Sequence, residues 1–187
     1  MQYPNLKDYI IVLDDVLPHS VCDKILEEYS NSGEWQQTEI ASGVDTNIRS
    51  ATTIQISKDF VVARNADIRR EIDSDVFAAA SKAIQAYNEK FNHGRIEEDS
   101  GYELLRYETG QFYTQHTDSF KARPRAVSCS FALNDDYEGG EFGFFDREIV
   151  VKAPKGGAVL FPSNFMYPHE IMPVTKGTRY SIITWFI

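Results

Sequence analysis

The feature that most constrains this chain is the punctuation of its second half, where short β-branched and aromatic runs follow one another and each is closed by a turn signal. After Gly101 the runs read YELLRY, FYTQH, AVSCSFAL, GEFGFF, EIVVKA, AVLFPS, HEIMPV and RYSIITWFI, with ETG, ARPR, NDDYEGG, PKGG and TKG among the connections. Runs this short do not complete helices, while glycine, proline and acidic clusters supply the backbone angles of tight turns. Eight such strands, not alternating with helices, predict a sandwich or barrel-like jelly roll rather than a parallel α/β sheet.

The first hundred residues read differently. Residues 9–13 (YIIVL) predict a short strand, and residues 51–56 (ATTIQI) alternate in the strand manner. Ser20 is placed to cap a helix on which Val21, Ile25 and Leu26 recur at helical spacing. From Asn65 to Phe91 the pattern is helical and alanine-rich, one long helix or two with a break near Asp73–Asp75. No repeat, linker or low-complexity stretch interrupts the 187 residues, so the reading is a single domain, with a helical support region at about 1–100 and a barrel core at about 101–187.

Charge and cysteine content narrow the setting. A net charge of −9, from 19 basic and 28 acidic residues, argues against a nucleic-acid surface. No apolar run reaches the roughly 20 residues that cross a bilayer, and MQYPNLKDYIIVLDD lacks a signal-peptide pattern. Cys22 and Cys129, far apart in sequence, read as free thiols of a reducing, cytoplasmic compartment.

Of the four histidines, His19, His93, His116 and His169, one sits in a spacing that carries chemistry. His116 and Asp118 are two apart in QFYTQHTDSF, and on an extended segment residues two apart leave the same face. His169, in FMYPHEIM, offers a third ligand from another strand. Two imidazoles and one carboxylate on adjacent positions leave half an octahedron open, which suits non-haem iron(II). His-x-Asp alone also recurs by chance, and a histidine after Tyr-Pro fits a turn; the company of Arg179 ten residues beyond His169 favours the metal. On the last strand Arg179, Ser181, Ile183 and Trp185 share one face. An arginine turned inward needs an anion, and its forked donors match a carboxylate; an arginine turned outward would need nothing. Residues Ala126, Ser128, Ser130 and Ala132 form a small-residue face that leaves room for a ligand or for a bulky neighbour. The loop Ser119–Arg125 gathers Lys121, Arg123 and Arg125 in an otherwise acidic chain, either to attract an anionic substrate or to keep a turn solvated.

At these residues the sequence resembles the prolyl 4-hydroxylase-like branch of the Fe(II)/2-oxoglutarate-dependent dioxygenases. LLRYETGQFYTQHTD, EGGEFGFF, PKGGAVLFPS and PHEIMPVTKGTRYSIITWF carry the resemblance from about Tyr102 to Ile187. It implies a mainly β fold with flanking helices, a double-stranded β-helix (jelly-roll, cupin-like) with the N-terminal helices packed outside. It also implies Fe(II) on His116, Asp118 and His169, with 2-oxoglutarate and O2 as cosubstrates and ascorbate as a candidate reductant. By the same resemblance Arg179 and Tyr107 hold the far carboxylate of 2-oxoglutarate, Trp185 lines that pocket, and Tyr113 and Arg49 (in IRSATTIQI) face substrate. Three residues of regular strand put Tyr113 opposite His116, so its assignment requires a bulge. Two positions depart from parts of the family. Collagen-directed members use lysine where Arg179 stands, and many members have threonine where Ile183 stands. The implied reaction hydroxylates a C–H bond and releases succinate and CO2. The target is a prolyl residue of a peptide or protein, or else a free amino acid or other small metabolite; a non-catalytic metal-binding barrel is the alternative from another class.

Overall fold

The computed structural model describes residues 5–40, 42–57, 65–91, 96–122 and 124–187; His93 and Arg123 lie outside them. A 3₁₀ turn (Leu6–Tyr9) leads into β1 (Ile11–Leu13), helix α1 (His19–Tyr29), β2 (Gln36–Gln37), β3 (Thr52–Gln55) and helix α2 (Ala66–Phe91). Then come β4 (Glu103–Glu108), β5 (Tyr113–His116), β6 (Val127–Ala132), β7 (Glu138–Gly139) and β8 (Phe142–Phe144). The chain ends with β9 (Ile149–Val151), β10 (Ala158–Pro162), β11 (His169–Ile171), β12 (Val174–Lys176) and β13 (Thr178–Phe186).

These strands make a seven-stranded sheet in the order β1-β10-β6-β13-β4-β3-β2 and a four-stranded sheet in the order β5-β11-β8-β9, with β7 and β12 paired separately. Their pairings are antiparallel. The two sheets enclose a core, which is the jelly-roll, double-stranded β-helix arrangement. Because side chains alternate along a strand, the large sheet serves two cores. Val127, Cys129 and Phe131 of β6 with Ile182 and Phe186 of β13 turn outward, against Ile25 of α1 and Ile72, Val76, Ala80 and Ala83 of α2. Leu105, Tyr107, Ala132, Val159, Phe161 and Trp185 turn inward, against Phe142, Phe144 and Ile171 of the small sheet. The helices therefore pack outside the barrel.

Two features differ from the sequence reading, and between them one of its two alternatives, the single long helix, is realised. Helix α1 begins at His19 with Pro18 as its cap residue, so Ser20 lies inside the first turn. Its start is set by the Pro18 carbonyl, which accepts from the amides of Val21 (2.9 Å) and Cys22 (3.1 Å), and by His19 Nε2, 2.8 Å from the Lys155 carbonyl oxygen. Helix α2 runs unbroken through Asp73–Asp75, because its buried stripe Ile72, Val76, Ala79, Ala80, Ala83, Ile84, Tyr87 stays on one face throughout. And the first hundred residues are not only support: β1, β2 and β3 all join the large sheet.

The glycine pair in EGG is dictated by close approach. Gly139 has φ +75°, and a Cβ there would lie 2.2 Å from the Pro173 carbonyl oxygen. At Gly140 a Cβ would press on the Arg179 stem at 3.0 Å.

Phe131 is fully buried between the large sheet and the helices. Phe131→Ala should cost about 3–5 kcal/mol of unfolding free energy, a range measured for buried aromatic truncations. Denaturant titration of the two proteins checks it.

Candidate metal centre

β5 ends at His116 and β11 begins at His169. The two are direct partners in the ladder, so their rings come to 4.3 Å between centroids. Asp118 follows two residues after His116 and reaches both: its Oδ1 is 3.4 Å from His116 Nε2 and its Oδ2 is 3.6 Å from His169 Nε2. One ligand atom from each of the three lies within 4.8 Å of the others. His116 Nδ1 sits 2.9 Å from the Thr114 carbonyl oxygen and His169 Nδ1 sits 3.1 Å from that of Tyr167. A carbonyl only accepts, so each Nδ1 carries the proton and each Nε2 presents a lone pair to the same point. This donor set fits a divalent metal, with coordination positions to spare.

The carboxylate is the most constrained member. Asp118 is buried; its Oδ2 accepts a 2.6 Å bond from Ser128 Oγ, which shares a 2.8 Å bond with Ser163 Oγ. The Ser163 carbonyl oxygen accepts from the amides of Asp118 (3.2 Å) and Ser119 (2.9 Å), fixing the loop that leaves β5. Burial pushes the Asp118 carboxyl up, but His169, His116 and Ser128 outweigh it and hold it well below the usual carboxylate range. For His169 burial dominates and brings the imidazole down to about 4, against the opposing pull of Asp118. Phe161, 4.5 Å from the His169 ring, and Phe144 behind it form a dry wall.

A cavity of about 590 Å³ opens from this cluster. Arg179 lines it and is buried, with Nη1 donating to Ser181 Oγ at 2.8 Å and its guanidinium carbon 5.3 Å from the Tyr107 ring centre. No carboxylate among the described residues pairs with it. Tyr107 is Arg179's ladder partner. Trp185 lies farther along the inner face with Ile183, and Arg125 stacks over its ring at 3.4 Å while donating to the Asp118 carbonyl oxygen at 3.0 Å.

Tyr113 depends on an irregularity. Between the pairs His169–His116 and Ile171–Tyr113, three steps of β5 answer two of β11. The extra residue turns Tyr113 to the His116 side, where the rings stack at 3.5 Å. Arg49 lies over the other part of that stack, its guanidinium carbon 4.7 Å from the Tyr113 ring centre. In the basic loop, Lys121 is exposed and Arg125 turns inward.

Two features escaped the sequence reading. The Ser128–Ser163 relay could have been suspected only in part, from the small-residue face of β6. Tyr137 follows β6 in NDDYEGG; burial pushes its phenol up while Arg179 beside it opposes. Nothing local marks it.

The chain is similar to known proteins in sequence and in fold. Residues 102–187 match the family model described as the 2OG-Fe(II) oxygenase superfamily. A PKHD-type hydroxylase of a Synechococcus strain is 34% identical over 89 residues, 42% of this chain and 39% of the relative; the chain thus spans about two fifths of the length of that relative. A PKHD-type hydroxylase of Xanthomonas campestris is 26% identical over 193 residues, covering 94% of this chain and 77% of the relative. Among solved structures, a Trichoplax adhaerens prolyl hydroxylase in complex with a hypoxia inducible factor peptide fragment superposes with a TM-score of 0.78 at 19% identity, over 96% of this chain and 83% of that one. At that identity the likeness bears on the fold alone.

Removing the hydroxyl that steadies the carboxylate should loosen the site without emptying it. Ser128→Ala is expected to weaken divalent-metal affinity by roughly tenfold or more, the usual cost of losing a supporting partner, measured by calorimetry under anaerobic conditions.

Proposed function

We propose that this chain, whose residues 102–187 match the 2OG-Fe(II) oxygenase superfamily model, acts as a 2-oxoglutarate-dependent dioxygenase that hydroxylates a C–H bond, with a prolyl residue of a peptide or protein as the favoured target. The observation that carries it is the pairing of a His116–Asp118–His169 cluster with a buried arginine that has no carboxylate partner, in one cavity. A structural metal would need the first and not the second. The names of the relatives support the hydroxylase reading.

In this reading His116, Asp118 and His169 hold Fe(II), which with 2-oxoglutarate and O2 would supply the oxidising chemistry and yield succinate and CO2. The residues orient and exclude. Arg179 receives the far carboxylate of 2-oxoglutarate, with Tyr107 beside it and Tyr137 behind. Phe142, Phe144 and Phe161 keep water from the metal side, which strengthens each charged contact. Trp185 and Ile183 wall the pocket, and Tyr113 stands between the metal cluster and Arg49. Residues 1–187 work as one domain in this account, since β1, β2 and β3 complete the sheet that carries Arg179. We place it in the cytoplasm: Cys22 and Cys129 are both free and buried, and burial pushes the Cys22 thiol up to about 11. Among the described residues, no helix is long and apolar enough to cross a membrane.

The direct test is succinate release from 2-oxoglutarate with Fe(II), with and without ascorbate. His169→Ala should abolish both iron binding and turnover while leaving the melting transition in place; retained turnover would refute the ligand assignment. Arg179→Ala should raise the 2-oxoglutarate concentration required by on the order of a hundredfold, the worth of a forked charge-assisted contact in a dry site. Tyr107→Phe should cost less, about 1 kcal/mol. Equal small effects from the two variants would place the carboxylate elsewhere.

A further inference from the structure

Among the described residues, four buried side-chain polar atoms lack a hydrogen-bond partner, and two of the four are donors lining the metal cavity: Arg49 Nε and Trp185 Nε1. A buried donor left unmade costs free energy, and an orphan in a native cavity calls for a ligand that accepts. Arg49 carries the stronger demand because it is charged. Its Nη1 donates to the Glu39 carbonyl oxygen at 3.3 Å, and Tyr107, Tyr113 and Glu103 stand near enough to favour its charge, yet its Nε has no acceptor. No carboxylate among the described residues lies within ion-pair distance, although Glu103 and Glu39 line the same cavity.

The position is built. Residues 48–50 are zipped to 112–114: Ser50 N donates to the Phe112 carbonyl oxygen at 3.1 Å and Thr114 N to that of Ile48 at 2.9 Å. Ser50 Oγ accepts from Phe112 N at 3.0 Å, and Gln37 Nε2 donates to the Ala51 carbonyl oxygen at 2.7 Å. The guanidinium is then held over Tyr113, whose ring stacks on the ligand histidine His116. Arg49 is thus one aromatic ring away from the metal cluster. It also lies on the open side of the cavity, next to exposed Gln36 and Glu39, whereas buried Arg179 lies against Tyr137 and Gly140.

We propose that Arg49 binds a carboxylate of the substrate itself, so that the site selects compounds whose anionic group stands a short distance from the C–H bond presented to the metal. This rests on the dioxygenase reading above. Arg179 takes the cosubstrate at the buried end, and Arg49 reads the substrate at the open end. A forked donor over an aromatic ring matches a planar carboxylate. Two sources share that chemistry: the α-carboxylate of a free amino acid, and an acidic side chain of a peptide.

The test uses the full chain loaded with Mn(II) and saturated with 2-oxoglutarate, and reads the paramagnetic relaxation of probe protons. The probes come in pairs that differ only in charge: acetate and acetamide, L-proline and L-prolinamide, and the capped dipeptides Ac-Pro-Asp-NH2 and Ac-Pro-Asn-NH2. In the wild type each carboxylate should bind more tightly than its amide twin, by roughly tenfold or more for a charge-assisted contact. The second and third pairs identify whether a free acid or a peptide is preferred. Arg49→Gln should erase the difference and Arg49→Lys should keep part of it, with 2-oxoglutarate affinity unchanged in both. Equal binding of acetate and acetamide to the wild type overturns the proposal. So does a fall in 2-oxoglutarate affinity in Arg49→Gln, which would assign Arg49 to the cosubstrate. Failure of the chain to bind Mn(II) at all, seen in the water relaxation, would instead sink the underlying metal reading, and the proposal with it.

Discussion

The register of β13 is the constraint on which the rest depends. It lies between β4 and β6, with Arg179 opposite Tyr107 and Trp185 opposite Ser128. A slip of one residue would exchange its two faces. Burial alone cannot prevent this, because both faces are largely buried: Ile182, Thr184 and Phe186 under the helices, Ser181, Ile183 and Trp185 in the barrel. The placement of one charge distinguishes the two registers. On the inner face Arg179 finds Ser181 Oγ and the Tyr107 ring. A slip would carry it to the half-buried Thr178 or Tyr180 position, opposite Glu108 or Arg106 and outside the barrel. The register of the sheet therefore decides whether the guanidinium enters the pocket.

A second charge is managed on the facing side. Asp118 is buried beside His169, a place where a lone carboxylate would take up a proton. It stays ionised because two imidazoles and Ser128 surround it. The same contacts align the two Nε2 lone pairs on one point, since each Nδ1 is held by a carbonyl two residues earlier in its own chain segment. With both Nε2 atoms unprotonated, a metal cation there would supply the counter-charge to Asp118, so the cluster and its ion would complete one another.

How much of this could be read from the sequence follows from the range of each interaction. His116, Asp118 and His169 were legible because a strand carries residues two apart on one face, and because few histidines compete. The strands of the second half were legible through their turns. The two-residue strands β2 and β7 were not, since pairing alone defines them. Nor was the membership of β1 and β3 in the large sheet, which is set by Ile11 opposite Leu160 and Thr53 opposite Leu105, partners far away in sequence. Ser20 looked like a cap because it precedes an apolar stripe, but a proline carbonyl and His19 on Lys155 set the start. The bulge that turns Tyr113 toward His116 could be stated as a requirement and not located.

The least legible feature is the division of labour among the arginines. Arg49, Arg125 and Arg179 are widely separated in sequence, and by composition they are interchangeable. Burial separates them. Arg125 is stacked on Trp185 and bonded to the Asp118 carbonyl oxygen, so it steadies the wall beside the metal. Arg179 is held by Ser181 at the buried end, with the Gly140 position small enough to let its stem pass. Arg49 keeps its buried Nε unused. A protein of net charge −9 repels anions at long range, and counter-ions screen that field within about 10 Å. Capture of an anion inside the cavity must then come from these short, fixed, partly desolvated contacts, and Arg49, with its buried Nε unspent, offers one of them on the open side.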